Sequence, residues 1–126
     1  MIMYTVRDHL KGDAALVAKV PRTRIFTGSV AKGAQPPYIQ LSLISNPGST
    51  MGTEMSRIQI SVFGKTYDDV ASVAELVKGS IKSLDGIDGI FASYKEDTRD
   101  LYNDETEMHH IPVDGLFYYL VDNEFS

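Results

Sequence analysis

Glu105, Glu107, His109 and His110 are the residues of this chain whose types and closeness could hold a metal ion, because carboxylate oxygens and imidazole nitrogens are common divalent-cation ligands. On an extended segment Glu107 and His109 would share a face and His110 would lie opposite. The spacing matches no specific metal motif. An exposed, charged strand end accounts for the cluster, so neither a functional metal nor any other cofactor is expected. Asp97, Asp100, Asp104 and Glu105 are carboxylates of the kind that divide acid and base work, yet nothing gathers them into a cleft and a solvated turn explains them. Ser, His and Asp occur without a nucleophile-elbow sequence. Gly28, Gly33, Pro36 and Pro37 lack the Gly-Lys-Ser/Thr ending of a phosphate loop. No residue is therefore assigned a catalytic, cofactor-binding or metal role.

Two polar stretches have a different use. One is Gly28 to Pro37, with Lys32 and Gln35; the other is the Gly/Ser/Thr/Met-rich stretch Ser45 to Met55, with Met51 and Met55 near its end. Both are long for simple hairpin turns, and loops of that size in a small domain are functional or disordered. Exposed methionine suits an adaptable contact surface; packing of Met51 and Met55 onto their own sheet is the alternative. Lys32, Gln35, Met51 and Met55 are the candidate assembly-loop residues, and both loops are expected to be mobile in a free subunit.

The elements that must carry these loops alternate with period two or repeat with period 3.6. Tyr38 to Ile44 puts Ile39, Leu41 and Leu43 on one face, and Arg57 to Phe63 does the same with Ile58, Ile60 and Val62. Each strand keeps a more polar second face, the pattern of an antiparallel sheet covered on one side. Thr66 and Asp69 form a capping-box-like pair at the start of a helix from Tyr67 to Leu84. Its apolar stripe is Val70, Val73, Ala74, Val77, Ile81 and Leu84, and Asp85-Gly86 closes it with glycine where a left-handed turn is wanted. Upstream, Thr5 is a candidate N-cap with Asp8 as its partner, Val6, His9 and Leu10 share a face, and Gly12 ends that helix. Asp13 caps a second short segment, Ala14 to Ala18, which stops before Pro21. Arg24 to Thr27 reads as a short strand and Gly89 to Lys95 as another, with Ile90, Ala92 and Tyr94 together. Glu96 to His110 reads as a turn, and Ile111 to Val121 as the last strand, with Tyr118 and Tyr119 as core and surface aromatics of that strand. Pro112 lacks an N–H, which makes that end an edge or a bulge. Residues 122–126 are expected to fray. The expected fold is α+β: a mostly antiparallel sheet, one long amphipathic helix on one face and a short N-terminal helical segment.

At 126 residues the chain is the size of one domain, and one domain spanning 1–126 is expected. Hydrophobic residues at 43% and charged residues at 23% are globular values. The absence of cysteine excludes disulfides and thiolate metal sites and fits a reducing compartment. No secretory segment and no apolar run of roughly 18 residues is present, so no membrane role is expected. The net charge is −5, and the Lys and Arg residues are spread along the chain without a cluster. That argues against tight, direct DNA binding, which needs a basic face.

The order of these blocks resembles a known family. Tyr4, Leu10, Asp13-Ala14-Ala15-Leu16 and Ala18 are followed by Arg24-Ile25-Phe26 and Pro37-Tyr38-Ile39. Then come Arg57 to Phe63, Thr66-Tyr67-Asp68-Asp69-Val70 and Asp100-Leu101-Tyr102. Over nearly its whole length the chain resembles the tail-completion, or tail-terminator, family of long-tailed bacteriophages and prophages. The resemblance implies a non-enzymatic virion protein at the tail–head junction, assembled in the host cytoplasm. It implies a hexameric ring that caps the head-proximal end of the tail tube and stops its polymerisation. The implied partners are copies of itself, the major tail tube protein and the head connector, with DNA passing through the ring without specific binding. Alternatives are a head-side neck protein, a small cellular enzyme using the Glu/His cluster, and a monomeric ligand-binding module.

Overall fold

The computed structural model describes residues 2–45, 49–50, 53–95 and 100–120. The chain runs through α1 (Ile2–Lys11), α2 (Ala14–Lys19), a 3-10 turn (Arg22–Arg24), β1 (Ile25–Thr27), β2 (Tyr38–Ser45), β3 (Ser49–Thr50) and β4 (Thr53–Gly64). It continues through α3 (Tyr67–Leu84), β5 (Phe91–Lys95), β6 (Leu101–Asn103) and β7 (Met108–Leu120). The seven strands form one sheet in the order β1-β2-β4-β7-β5, with β3 added to β4 and β6 to β7. β1 lies parallel to β2 and every other pairing is antiparallel. The expected α+β class, with a mostly antiparallel sheet and a long helix, is what forms. No helix among the described residues is long and apolar enough to cross a membrane.

α3 forms because its stripe and its ends agree. Thr66 Oγ1 accepts the Asp69 N–H at 3.2 Å, removing one orphan donor of the first turn. Val70, Val73, Ala74, Val77, Ile81 and Leu84 are all buried against Ile58, Ile60, Val62, Val113 and Phe117 in one continuous apolar cluster. The helix stops at Asp85, and Gly86 follows at φ 87°. The Asp85 carboxylate then accepts the Ala92 N–H at 2.9 Å, tying the helix end to β5. α1 adds Ile2, Val6 and Leu10 to the same cluster. Its His9 Nε2 sits 3.0 Å from the Ser80 carbonyl and 2.8 Å from Ser83 Oγ, clamping α1 to the last turns of α3.

Close approach of β7 to its own side chains sets one glycine. A Cβ on Gly115 would stand 2.6 Å from Phe117 Cε2, and Phe117 is fully buried, so its ring cannot yield without repacking the core.

Several expectations are corrected. Thr5 is inside α1 and not its N-cap, because Ile2 extends the buried i, i+4, i+8 stripe one turn upstream; Asp8 pairs with Arg7 instead. Leu43 is 38% exposed although Ile39 and Leu41 are buried. β1 ends opposite Leu41, so no strand flanks Leu43 on the outer side, and the β2 register shifts there. β4 begins four residues before Arg57 because its ladder with β7 continues to Leu120, and β3 pairs back on it. Met55 is therefore a strand residue opposite Tyr118, whereas Met51 lies outside the described residues. The expected Glu96–His110 turn contains the extra strand β6, and β7 starts at Met108. Asp97 and residues 122–126, where fraying is expected, lie outside the described residues.

Pro112 sits in an interior strand yet meets a local edge. β5 pairs with β7 as far as Asp114 and β6 pairs with it from His110. Residues 111–113 have β4 on one side and, among the described residues, no strand partner on the other. A residue without an N–H is tolerated where a ladder is interrupted.

Val77→Asp should fail to fold cooperatively, since it places an unpaired charge at a fully buried site. Gly115→Ala should fold but lose about 1–3 kcal/mol through overpacking against Phe117. Urea denaturation followed by circular dichroism measures both.

Candidate assembly surface

The sheet has two unlike faces, and α3 covers only one. Residues paired across strands lie on the same face, so the register defines the other. Phe63 stands opposite Tyr38 and opposite His110, and His110 opposite Leu101. The row is stacked: Tyr38 to Phe63 is 4.8 Å between centroids at 20°, and Phe63 to His110 is 4.2 Å at 13°. Phe26 meets the Tyr38 ring edge-on at 6.2 Å. Beside this row a cleft of about 470 Å³ is lined by Tyr38, Phe63, Leu101, Tyr102, Met108 and His110, among others.

His110 is the unusual member. Its Nε2 is buried and has no hydrogen-bond partner among the described residues. Burial lowers its pKa below the usual 6.5, because the charged imidazolium loses hydration it cannot recover there. The ring is therefore neutral at pH 7, and its flat face serves as one more aromatic layer. Burial also raises the Tyr38 pKa, keeping that phenol protonated.

At the opposite end of the same face Met55, Tyr118 and Phe91 form a second row, with Tyr118 42% and Phe91 68% exposed. Between the two rows runs a polar belt. Gln59 stands opposite Ser42 and Asp114, and Arg57 Nη2 donates to Asp114 Oδ2 at 2.7 Å. A sheet face with aromatic rows flanking a polar belt has the composition of a contact surface, since aromatic residues are enriched where proteins meet.

The suspected metal cluster is not assembled. Glu107 lies in the β6–β7 turn with φ 56° and not on a strand beside His109. His109 points to the helix-covered face and pairs with Asp100 at 3.1 Å between Nδ1 and Oδ2, with the Tyr102 ring 4.8 Å away. His110 is on the opposite face. Glu105 and Thr106 donate their N–H groups to the Asn103 side chain, so this segment is a tight turn. Among the described residues no group of three or more His, Asp or Glu could hold a metal. Ser83 does lie against His9, but the same nitrogen faces the Ser80 carbonyl, which assigns the pair to helix packing.

Of the candidate loop residues, Lys32 is exposed and unpaired among the described residues, and Gln35 Nε2 reaches the Gly33 carbonyl at 3.4 Å. Gly28 N–H bonds the Leu41 carbonyl at 2.8 Å and anchors the loop to β2. The aromatic row went unseen in the sequence. Its signal was there, because Tyr38 and Phe63 fall on the polar face of strands whose other face is entirely aliphatic.

Residues 5–119 match the family model described as tail completion protein gp17. Among solved structures, a chain of the virion of a native gene transfer agent particle is 17% identical over 91% of both chains, with a TM-score of 0.70. A second solved chain, whose name conveys no function, is 14% identical over 94% of both at a TM-score of 0.52. These likenesses show a shared fold. No curated protein matches the chain.

His110→Phe should keep the stack and remove the orphaned nitrogen. A folded-state pKa below the unfolded value of 6.5 means that the unfolded chain binds more protons on acidification, so stability falls as pH drops below that value. Thermal melting at pH 7.5 and pH 5.5 should show a smaller acid loss for His110→Phe than for the parent. An equal loss removes the neutral-ring assignment.

Proposed function

The chain belongs to the tail completion protein gp17 family, and from that premise we propose that it is a structural protein of a phage particle, closing the head-proximal end of the tail tube. It does so as a ring of identical subunits, six in number, which ends tube polymerisation and presents the surface that the head joins. The observation that carries this reading is the family match across residues 5–119. The uncovered face, with Tyr38, Phe63 and His110 stacked at one end and Met55, Tyr118 and Phe91 at the other, supports it as a surface suited to standing against another protein.

The function proposed is binding without catalysis, by one domain spanning residues 1–126. The partners are copies of this chain, the major tail tube protein and the head connector, in the virion at the tail–head junction. Heterologous contacts that close by rotation make rings. The Gly28–Pro37 loop, with Lys32 and Gln35, orders against neighbours on assembly, and Met55, already held on β4 opposite Tyr118, adds to the contact face. DNA crosses the ring without specific binding, in keeping with a net charge of −5.

Deletion from a phage genome, followed by electron microscopy of the lysate, tests the reading. Overlong tails unattached to filled heads are the expected result. Tails of normal length beside leaking heads would move the protein to the head side of the neck, and normal infectious particles would refute both placements.

A further inference from the structure

The basic residues are not evenly spread once the chain is folded. Residues 1–37 hold six Lys and Arg against two Asp, a net of +4, which leaves −9 for the remainder of a chain whose total is −5. The basic segment ends at the β1 edge of the sheet. Arg24 immediately precedes β1 and Lys32 lies in the loop that follows it, while Arg22 Nε donates to the Lys11 main-chain carbonyl at 2.8 Å, holding that guanidinium at the end of α1. None of Lys11, Arg22, Arg24 and Lys32 is in an ion pair among the described residues.

The opposite edge carries the other sign. β6 and its turn present Asp100, Asp104, Glu105 and Glu107, all exposed, and among the described residues only the Asp100 carboxylate meets a basic side chain, the His109 ring. Leu101 and Tyr102, 43% and 51% exposed, add apolar area among these acids. The two edges are level. β1 pairs with Ile39 to Leu41, which lead through β4 to Val113 and Ile111 of β7, and β6 joins β7 in the very next rows, at His110 and His109. Four strand spacings separate them, about 19 Å across the sheet.

We infer that the β1 edge of one copy docks on the β6 edge of the next, basic against acidic, and that this is the head-to-tail contact that closes the ring. The inference rests on the ring reading above and assigns its faces. Opposite charges at opposite, level edges are self-complementary only between successive copies in one direction, the requirement for a heterologous contact. They disfavour the two-fold alternative, which would set like charges together. Both edge strands are three residues long, so side chains and not an extended ladder make the contact.

The test uses the full chain in two charge-reversed forms, Arg24→Glu with Lys32→Glu, and Asp104→Lys with Glu105→Lys. Arg22 is left in place because it holds the Lys11 carbonyl. Sedimentation velocity at low salt should show assembly of the parent, weakening as salt rises. Each reversed form should keep the parental melting temperature and assemble with a dissociation constant raised about tenfold or more. An equimolar mixture should assemble again, since each form then presents the charge that the other lacks. Assembly of either form at parental strength, or a mixture that stays monomeric, overturns the edge assignment. Electron microscopy of tail ends reads the ring independently. A ring built equally well by the reversed proteins leaves the ring reading standing and removes this contact, whereas parental tails without a ring remove both.

Discussion

Twelve consecutive residue pairs join β4 to β7, from Thr53 opposite Leu120 to Gly64 opposite His109, and every other part of the fold is placed by that ladder. It sets which residues face α3. Side chains alternate along a strand, so a slip of one residue would exchange Ile58, Ile60 and Val62 for Gln59, Ser61 and Phe63 on the buried side. It also sets the outer face, because the stacking of Phe63 on His110 exists only in this register. The buried polar pair at the far end, Ser56 Oγ with Tyr119 Oη at 3.1 Å, is a further check on the same alignment. A slipped ladder would break that bond.

Local chemistry was legible in the sequence where it decides structure by itself. The Thr66 cap, the Val70 to Leu84 stripe and the Gly86 stop depend on neighbours within one helix, and all three formed as expected. Asp13 likewise caps α2 through the Ala15 and Leu16 N–H groups. The alternating strands were legible for the same reason. What was hidden depends on partners distant in sequence. Strand ends were misplaced where a ladder continues past the propensity signal, as at Thr53 to Met55 and Met108 to His110. The parallel pairing of β1 with β2 leaves no local trace. The Glu/His cluster shows the converse error: Glu107, His109 and His110 are close in sequence, but the β6–β7 turn and the pleat send them three ways.

The surface follows from the one-sided core. A sheet with helices on one face must either make its second face polar or leave it for a partner. Here it is divided, with a polar belt tied by Arg57 and Asp114 between two aromatic rows. The Phe91 and Tyr118 rings are left largely in water, which is costly in an isolated subunit and useful in an assembly, whereas the Tyr38, Phe63 and His110 row is half-buried by its own stacking. The charge asymmetry adds direction to that surface, because side-by-side copies have distinguishable left and right edges.

The interruption at Pro112 gives the sheet a property that a continuous one lacks. Beyond β7 the sheet is forked, with β5 and β6 held on separate stretches of the same strand. Twist accumulated along one branch is not passed to the other, and β6 is held through only three residue pairs. Among the described pairings β6 is thus the more weakly held branch, with three residue pairs to β7 against five for β5. In a closed circle the angle between neighbours is dictated by the number of members, and any mismatch must be absorbed somewhere. In the proposed ring the fork would put the more weakly held branch at the acidic edge, outside the packed interior, where a small rotation of the hairpin takes up angular error without distorting the core.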